Sequence, residues 1–492
     1  MNTYMAVYFG AAFLALFATP PVVWLAKRIK AVDYPGIRSV HTQPIPRIGG
    51  VAIFVATMVV IVSLLLLNGR IGARFQDMKL QVIALLAAAT AIFTIGLIDD
   101  LRGLPARFKF AVEVLGAIAL CLVGVKINQI GVADGFVLRL GWLAVPVTIL
   151  WIVGITNAVN MSDGLDGLAA GVSAITCGVI AIFAIYSSTI RTGALQSSDI
   201  VLAIFALALL GSLSGFLFFN FNPARVFMGD CGSLFIGFMI AAASVLCASK
   251  TTALVALALP ALALGIPIFD TLFSMLRRWL ERRSIFAADR SHFHHRLIDL
   301  GLTQRHAVLV IYGTTSLAAG VGLLMMVQND AFQLALFAGV LLLLIVLFRV
   351  VGAVGLRTTL ERLQEKYTTA QCKRQEVKTF EHLQLQFRRI ENRQQWWQAL
   401  CEAAERMDFA WLSLTTTHKD GRIETSIWRG CESKPDMSRI VRMTAPVLDN
   451  RDGARREFEI AIWANGSLEA ASRRASLFGR LLDEDIFDVK AR

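Results

Sequence analysis

The sequence has few charged residues for its length and no closely spaced cysteine pair. Asp, Glu, Lys and Arg make up 17% of the 492 residues, whereas 56% are hydrophobic and the mean hydropathy is +0.60. A soluble chain of this length does not need so much apolar surface, so this composition excludes a soluble fold for most of it. The 7 cysteines form no CxxC motif. An odd, scattered set disfavours a disulfide framework and favours reduced or packed thiols.

The first apolar block, residues 4–25, lacks the features of a cleaved leader. No basic residue precedes it, and no small-residue cleavage pattern follows it. It is also longer than the apolar core of a signal peptide. We therefore expect a retained first transmembrane span.

Apolar blocks of roughly 17–22 residues recur along the first 350 positions, and a helix of that length spans a bilayer core. Inside a membrane a helix satisfies its own backbone hydrogen bonds, so we predict an all-α polytopic membrane protein with about eleven spans. The predicted spans lie near residues 4–25, 50–68, 80–98, 110–126, 142–158, 167–188, 200–219, 233–249, 253–275, 308–327 and 331–350.

The loops between these spans carry unequal positive charge. Loops after odd-numbered spans hold about sixteen Lys and Arg, and loops after even-numbered spans hold about seven. Basic residues stay on the cytoplasmic side, so the odd loops and the C-terminal region are predicted to be cytoplasmic and the N-terminus to face outward.

The last 142 residues differ in composition, with about 24 basic and about 21 acidic residues. We predict three parts: a transmembrane domain at 1–350, an amphipathic helical stalk at 351–408, and a small cytoplasmic α+β domain at 409–492. Period-two patterns predict strands at 409–417, 422–430, 439–448 and 456–464, and an amphipathic pattern predicts a final helix at 468–482. No residue pattern there indicates catalysis, which favours a regulatory, dimerising or partner-docking role.

Polar residues cluster in the odd loops, all on the predicted cytoplasmic side. Asp99 and Asp100 end the third span, where adjacent carboxylates are costly unless they face water, a metal or a basic partner. Taken alone, a solvated helix end beside Arg102 explains this pair. Lys109, a few residues further on, is placed to reach a phosphate.

The segment NAVNMSDGLDGLAAG places four oxygen-bearing side chains at three-residue spacing, namely Asn157, Asn160, Asp163 and Asp166. Oxygen donors suit a hard cation such as Mg²⁺, which takes few protein ligands and adds phosphate oxygens. An Asx turn capping the sixth span explains one of these carboxylates but not four polar groups in ten residues.

Two further loops complete the pattern. Asp230 precedes the eighth span in NPARVFMGDCGSLFIG, where a helix N-cap is the simple alternative. The loop after the ninth span carries a basic cluster that suits phosphate binding: Arg290, His292, His294, His295 and Arg296. Ordinary positive-inside charge does not require three histidines in four residues, and a zinc site is disfavoured because no cysteine accompanies them. Carboxylates, Mg²⁺ and cationic donors are the recurring parts of phosphoryl transfer.

Four motifs in this order carry a family resemblance: IDDLRG, NAVNMSDGLDG, NPARVFMGDCGSLFIG and DRSHFHH. Across roughly residues 1–350 the chain resembles the polyprenyl-phosphate N-acetylhexosamine-1-phosphate transferases of glycosyltransferase family 4. The first loop, DYPGIRSVHTQPIPRIGG, also matches that family. The histidine motif with Phe between its histidines, together with Asp270 and Asp289-Arg290, resembles the branch that uses N-acetylglucosamine or related deoxy-sugars. It is unlike the branch that transfers phospho-N-acetylmuramoyl-pentapeptide, whose motif is three consecutive histidines.

The resemblance implies a reaction and its setting. A UDP-N-acetylhexosamine and undecaprenyl phosphate would give the lipid-linked diphospho-sugar and UMP, and so start a cell-surface glycan such as O-antigen. The setting would be the inner membrane of a bacterium, with the active site cytoplasmic. Membrane lipid would surround the chain, no nucleic acid would bind, and the C-terminal domain would offer a surface for a homodimer or a partner protein.

The resemblance also implies site residues. Asn160 and Asp230 would hold Mg²⁺, or alternatively Mn²⁺, on the diphosphate, and Asp99 or Asp100 would contact or deprotonate the lipid phosphate. Asp163 and Asp166 would face the uridine. The full set of implied substrate-binding residues is Lys109, Asn157, Asp163, Asp166, Arg290, His292, His294 and His295.

Two other functions remain open from the residues alone. A transporter would place its polar residues near the bilayer midplane, often with internal repeats, whereas here they lie at span ends and no repeat is evident. A membrane receptor with a cytoplasmic sensor would account for the C-terminal region but not for the loop motifs. Transfer of another N-acetyl-deoxyhexosamine phosphate is the alternative within the same chemistry.

Overall fold

The computed structural model of the chain describes residues 2–34, 44–66, 74–133, 136–187, 197–248, 253–282, 284, 292–326, 328, 330–351, 356–388, 390–430, 440–447, 455–464 and 467–485. Its contacts divide the chain into two compact units, Met1–Thr359 and Leu360–Arg492. The predicted division at residue 350 and the roles assigned to the parts stay predictions.

The first unit is built from helices that follow the apolar runs. In chain order they are α1 (Asn2–Arg28), α2 (Gly50–Leu66), α3 (Lys79–Arg102), α4 (Ala106–Leu122), α5 (Ala144–Ser162), α6 (Leu168–Tyr186), α7 (Ser197–Asn220), α8 (Gly229–Ala248), α9 (Ala253–Ala263), α10 (Gly265–Leu280), α11 (Phe293–Asp299), α12 (Gln304–Met325) and α13 (Asp330–Val350).

Within the described residues, 8 helices are long and apolar enough to cross a membrane. This finding supports a polytopic helical membrane protein. The other three predicted spans are less regular. Helices α2 and α4 have 17 residues each, and α9 and α10 meet at a bend of 74°.

Helix α8 lies at the centre of the unit and is buried along most of its length. Small residues let its neighbours approach closely. A Cβ atom at Gly96 of α3 would lie 2.7 Å from Cα of Cys231, at the start of α8. This close approach brings the end of α3, with its two aspartates, to the first turn of α8.

Two short antiparallel ladders accompany the helices. Strand β1 (Val32–Asp33) pairs with β2 (Ile45–Pro46), and β3 (Gln129–Ala133) pairs with β4 (Phe136–Arg139). The first ladder lies close to the carboxyl end of α1 and helps to shape the polar side of the unit.

The second unit contains a four-stranded antiparallel sheet in the order β6-β5-β8-β7. Its elements are α14 (Leu356–Phe387), α15 (Arg393–Arg406), β5 (Phe409–Thr417), β6 (Ile423–Arg429), β7 (Ile440–Val447), β8 (Arg455–Trp463) and α16 (Leu468–Asp485). The strands and the last helix lie within one or a few residues of the expected segments. Apolar side chains from the sheet and helices form one core, including Leu383, Leu400, Leu412, Phe458 and Phe478.

The predicted stalk at 351–408 is two helices rather than one. Helix α14 ends at Phe387, and α15 begins at Arg393 after a cap in which the Asn392 side chain accepts from the Gln395 backbone N–H at 2.8 Å. The amphipathic pattern continued through this junction, but the Asn cap satisfies the start of a new helix. The end of α14 packs in the core of the second unit through Phe380 and Leu383.

The crossing of α5 and α8 depends on Gly237, and this gives a stability test. A Cβ at Gly237 would lie 2.8 Å from Cα and 3.0 Å from the carbonyl oxygen of Thr156. We expect Gly237→Ala to lower the thermal unfolding midpoint of the detergent-solubilised protein, because overpacking costs about 1–3 kcal/mol. Gly313→Ala is the matched control, since its Cβ meets nothing within 4 Å. Equal midpoints for the two variants would contradict the close crossing.

Candidate active site

A cavity of about 1010 Å³ lies on the polar side of the first unit. It is formed by the ends of α1, α3, α5 and α7, the start of α8, and the connections between them. Carboxylates outnumber basic side chains in its described lining: five aspartates, Asp33, Asp100, Asp163, Asp166 and Asp230, stand against Lys27, Arg47 and Arg225. Such a surplus of negative charge repels an anionic ligand unless a further cation joins it.

Asp100 caps the N-terminus of α8 from a different helix. Its Oδ1 accepts from the backbone N–H of Asp230 and its Oδ2 from that of Cys231, both at 2.9 Å. The guanidinium of Arg47 donates to the backbone carbonyl of Asp100. Because the first N–H groups of a helix need partners and favour negative charge, Asp100 fixes α8 against α3.

Lys109 joins carboxylates from two helices. Its Nζ lies 2.6 Å from Oδ2 of Asp99 and 2.5 Å from Oδ2 of Asp230. The backbone N–H of Leu104 also donates to Asp99. The ammonium group therefore offsets the repulsion between Asp99 and Asp230, of which Asp230 lines the cavity.

Asn160 on α5 contacts the carboxylate oxygen of Asp230 that Lys109 does not contact. Its Nδ2 donates to Oδ1 of Asp230 at 3.0 Å and to Oγ of Ser233 at 2.9 Å. With the amide nitrogen committed to these acceptors, Oδ1 of Asn160 is the atom that a cation would bind. Asp230 thus lies at the meeting point of α4, α5 and α8.

The loop between α5 and α6 contributes two more carboxylates. Oδ2 of Asp166 accepts from Nδ2 of Asn222 at 2.9 Å and from the backbone N–H of Ala224 at 3.0 Å, which ties this loop to the one before α8. Asp163 lies on the cavity. Burial first, then the charges of Asp230, Asp100 and Asp166, raise the pKa of Asp163 to about 7.

Asn157 is not among the described residues that line the cavity. Its Nδ2 donates to the buried carboxylate of Glu113 on α4 and to the carbonyl of Val153 at 2.9 Å. Sequence reasoning did not single out Glu113. A lone carboxylate inside an apolar run was the available signal, because such residues in membrane helices are rare without a function.

The histidine motif is divided between the cavity and the protein interior. His295 lines the cavity, whereas His292 and His294 are buried. The His294 ring packs against Gly164, where a Cβ would lie 2.6 Å from Nε2. Burial, together with His295 and His292, lowers the pKa of His294 to about 3 against the raising effect of Asp270. His294 is therefore neutral and does not add to a cationic patch. Arg290 lies outside the described residues.

The structure thus brings most of the expected residues together around Asp230. Asp100, Asp163, Asp166 and His295 share the cavity with it, while Lys109 and Asn160 contact it directly. The described cavity lining does not include Asn157, His292 or His294. Besides Glu113, the set of expected site residues omitted Arg47, although it lies in the quoted first-loop segment.

The donor set around Asp230 fits a hard divalent cation. In the described part of the chain, no three His, Cys, Asp or Glu side chains converge as a metal-ligand set. Asp230 and Asn160 supply carboxylate and amide oxygens, and Mg²⁺ commonly takes one or two protein carboxylates plus phosphate oxygens and water. The excess of carboxylates over basic groups in the cavity is in keeping with a bound cation.

Comparison with known proteins gives one family. The family model for "Glycosyl transferase family 4" matches residues 82–248. A Bacillus subtilis protein described as a probable undecaprenyl-phosphate N-acetylglucosaminyl 1-phosphate transferase is 40% identical over 300 residues, covering 60% of this chain and 78% of its own length.

Two further relatives are similar. A decaprenyl-phosphate N-acetylglucosaminephosphotransferase of Mycobacterium tuberculosis is 36% identical over 333 residues, covering 61% of this chain and 77% of that protein. An undecaprenyl-phosphate alpha-N-acetylglucosaminyl 1-phosphate transferase of Yersinia pestis is 30% identical over 331 residues, covering 66% and 84%.

The low pKa of His294 predicts a pH effect on stability. Its folded pKa of about 3 lies below the usual value, so neutral His294 stabilises the fold at neutral pH, and this contribution is lost as pH falls from about 6.5. We expect the thermal midpoint to fall between pH 7 and pH 5 more steeply in wild type than in His294→Gln. The exposed His306 gives the control variant His306→Gln. Equal slopes in wild type and His294→Gln would contradict the assignment.

Proposed function

This chain belongs to glycosyl transferase family 4, and from that premise we propose that it transfers N-acetylglucosamine 1-phosphate from its UDP derivative to a polyprenyl phosphate, releasing UMP. The relatives' names support the sugar phosphate and the lipid acceptor. The observation that carries the proposal for this chain is the meeting of Lys109, Asn160 and Asp230 beside an aspartate-lined cavity. This grouping supplies the charges that a diphosphate and an approaching phosphate require.

The two substrates are proposed to meet from opposite sides of Asp230. The cavity of about 1010 Å³ is of the size that encloses a nucleotide sugar. Asp163 and Asp166 lie on this side and would contact the uridine. Lys109 and Asp99 are not among the described residues that line the cavity, and they would receive the acceptor phosphate.

The chemistry proposed is a single displacement. A phosphate monoester has a second pKa of about 6 and is largely dianionic at neutral pH, so the acceptor needs no strong base. Its oxygen attacks the phosphorus bonded to the sugar. The bond between that phosphorus and the bridging oxygen breaks, and UMP leaves with the bridging oxygen. The barrier is the approach of two anions, which Lys109 lowers by pairing with the incoming phosphate.

Asp99 and Asp100 are proposed to have different duties. Asp99 shares Lys109 and directs its ammonium group towards the acceptor. Asp100 has both oxygens committed to the start of α8, so it would place Asp230 and not handle a proton. His295, on the cavity, would contact the diphosphate or the sugar, and we propose the same role for Arg290.

We assign Asp230 and Asn160 as the residues that would hold Mg²⁺, with Mn²⁺ as a substitute. When bound, the cation would neutralise diphosphate charge and stabilise charge on the leaving group. Lys109 now occupies one oxygen of Asp230, so its ammonium is the group that would move towards the acceptor phosphate. Asn160 keeps Asp230 oriented through its amide N–H.

The membrane arrangement is a further part of the proposal. About eleven spans would place the N-terminus outside and the site and second unit in the cytoplasm of a bacterial cell, by the distribution of basic residues. The family model matches residues 82–248 and does not reach the second unit, for which we propose a regulatory, dimerising or partner-docking role. The glycan started by the enzyme would be a cell-surface one such as O-antigen.

Asp230 gives the direct test of this function. The assay is UMP release from UDP-N-acetylglucosamine by the purified protein, dependent on added undecaprenyl phosphate and Mg²⁺. We expect Asp230→Asn to lower turnover by about a hundredfold or more, because a transition-state charge partner is lost. Asp299→Asn, an exposed carboxylate, is the control. Near-normal turnover of Asp230→Asn, with normal membrane insertion, would refute the metal assignment.

The raised pKa of Asp163 predicts that the affinity of the site for Mg²⁺ depends on pH. Its pKa of about 7 means that a cation at Asp230 would favour the ionised form and release a proton near neutral pH. The apparent affinity for Mg²⁺ should therefore rise from pH 6 to pH 8. Titration calorimetry in buffers of different ionisation enthalpy measures the number of protons released when Mg²⁺ binds. Asp163→Asn should release fewer protons than wild type, and an equal number in the two proteins would contradict the prediction.

A further inference from the structure

Asp270 is a buried carboxylate that the proposed reaction does not use. It lies in the middle of α10, the helix after the 74° bend, and is 6% exposed. Neither the cavity lining nor the contacts of Asp230 include it. A buried carboxylate is costly unless several donors satisfy it, so its partners indicate what it does.

Within the part of the chain that the structure describes, the hydrogen-bond and ion-pair partners of Asp270 belong to the histidine motif. Its Oδ1 accepts from the backbone N–H of Phe293 at 2.8 Å. Its Oδ2 lies 3.0 Å from Nδ1 of His292 and 3.9 Å from Nδ1 of His294. The rings of these two histidines stack in parallel, with centroids 5.5 Å apart and planes inclined by 4°. One side chain thus holds the first turn of α11 against α10.

This geometry fixes a proton position on His292. A carboxylate that also accepts from the Phe293 N–H acts as an acceptor, so Nδ1 of His292 carries the hydrogen in the 3.0 Å contact. The hydroxyl of Ser274 lies 3.4 Å from the same Nδ1 and is a weaker partner than the carboxylate at 3.0 Å.

Helix α11 connects the contacts of Asp270 to the cavity. His294 is buried, and its ring lies against Gly164 in the loop that carries Asp163 and Asp166. The adjacent His295 ring lies 4.4 Å from that of His294 and lines the cavity. A displacement of α11 would therefore move both the loop and His295.

We propose that Asp270 is a positioning residue that fixes the Nδ1–H tautomer of His292 and seats α11, so that His294 supports the loop of Asp163 and His295 faces the cavity. The idea rests on the proposed function for its effect on turnover, but not for its effect on His292. Asp270 itself touches no substrate. Its role resembles that of any carboxylate that orients an imidazole from behind.

Asp270→Asn separates this role from simple space filling. The amide has nearly the same shape, and its oxygen can still accept from Phe293 N–H. Its nitrogen is a donor, so Nδ1 of His292 must become an acceptor and the proton must move to Nε2. The substitution therefore reverses the tautomer while leaving the volume of the site nearly unchanged.

The first measurement is ¹⁵N NMR of the full-length protein in detergent with labelled histidine, with His292→Gln used to assign the signal. We expect the Nδ1–H form of His292 in wild type and the Nε2–H form in Asp270→Asn. Asp299→Asn, at the exposed end of α11, should leave the His292 signal unchanged. An Nε2–H form in wild type, or an unchanged signal in Asp270→Asn, would overturn the proposal. Should Asp270→Asn fail to fold, the wild-type form still decides it.

The second measurement is the kinetics of UMP release. We expect Asp270→Asn to lower kcat by about a hundredfold, the loss associated with a misplacement of about 1 Å, with a smaller change in KM for the lipid acceptor. Asp299→Asn should keep wild-type kinetics. Normal kcat in Asp270→Asn would overturn the positioning role. Absence of UMP release in wild type would reject the proposed function, while the NMR result would still report on Asp270.

Discussion

The ion pairs of Lys109 are the interactions on which the site depends. Asp99 comes from α3 and Asp230 from α8, and one ammonium group from α4 holds both carboxylates. Two like charges 4 Å apart repel by about 4 kcal/mol at an effective dielectric constant of about 20, so the two aspartates need a cation between them. In the proposed function, a divalent cation would take the place of Lys109 on Asp230, and the ammonium group would then be available to a phosphate.

The N-terminus of α8 is the second constraint, because it fixes where that carboxylate stands. Asp100 accepts from the first N–H groups of α8, and the missing side chain of Gly96 lets α3 approach closely enough for this. Asn160 then fixes Asp230 from α5. Helices α3, α5 and α8 are far apart in the chain, and together they fix the position of the Asp230 carboxylate. A site proposed to bind a diphosphate needs such a fixed group.

Part of this could be predicted from the sequence, and part could not. Apolar run lengths located most helices of the first unit, and the spacing of Asn160, Asp163 and Asp166 predicted that they lie close together. The structure places Asn160 in the last turn of α5 and the two aspartates in the loop that follows. Local pattern gave no means to see that Asp100 caps a helix 130 residues away, that His294 packs behind a loop, or that Asp270 receives two histidines. These roles arise from packing between distant segments. The junction at Asn392 was missed for a different reason, since the amphipathic pattern on both sides is similar and only the cap marks the boundary.

In the proposed site, Asp230 and Asn160 hold the diphosphate of the donor through a divalent cation. Electron–nuclear double resonance on the purified protein with Mn²⁺ and UDP-N-acetylglucosamine measures whether the cation lies next to the donor phosphorus. We expect coupling between Mn²⁺ and ³¹P of the donor in wild type and its loss in Asp230→Asn. Absence of this coupling in wild type, or its full retention in the variant, would refute the proposed cation site.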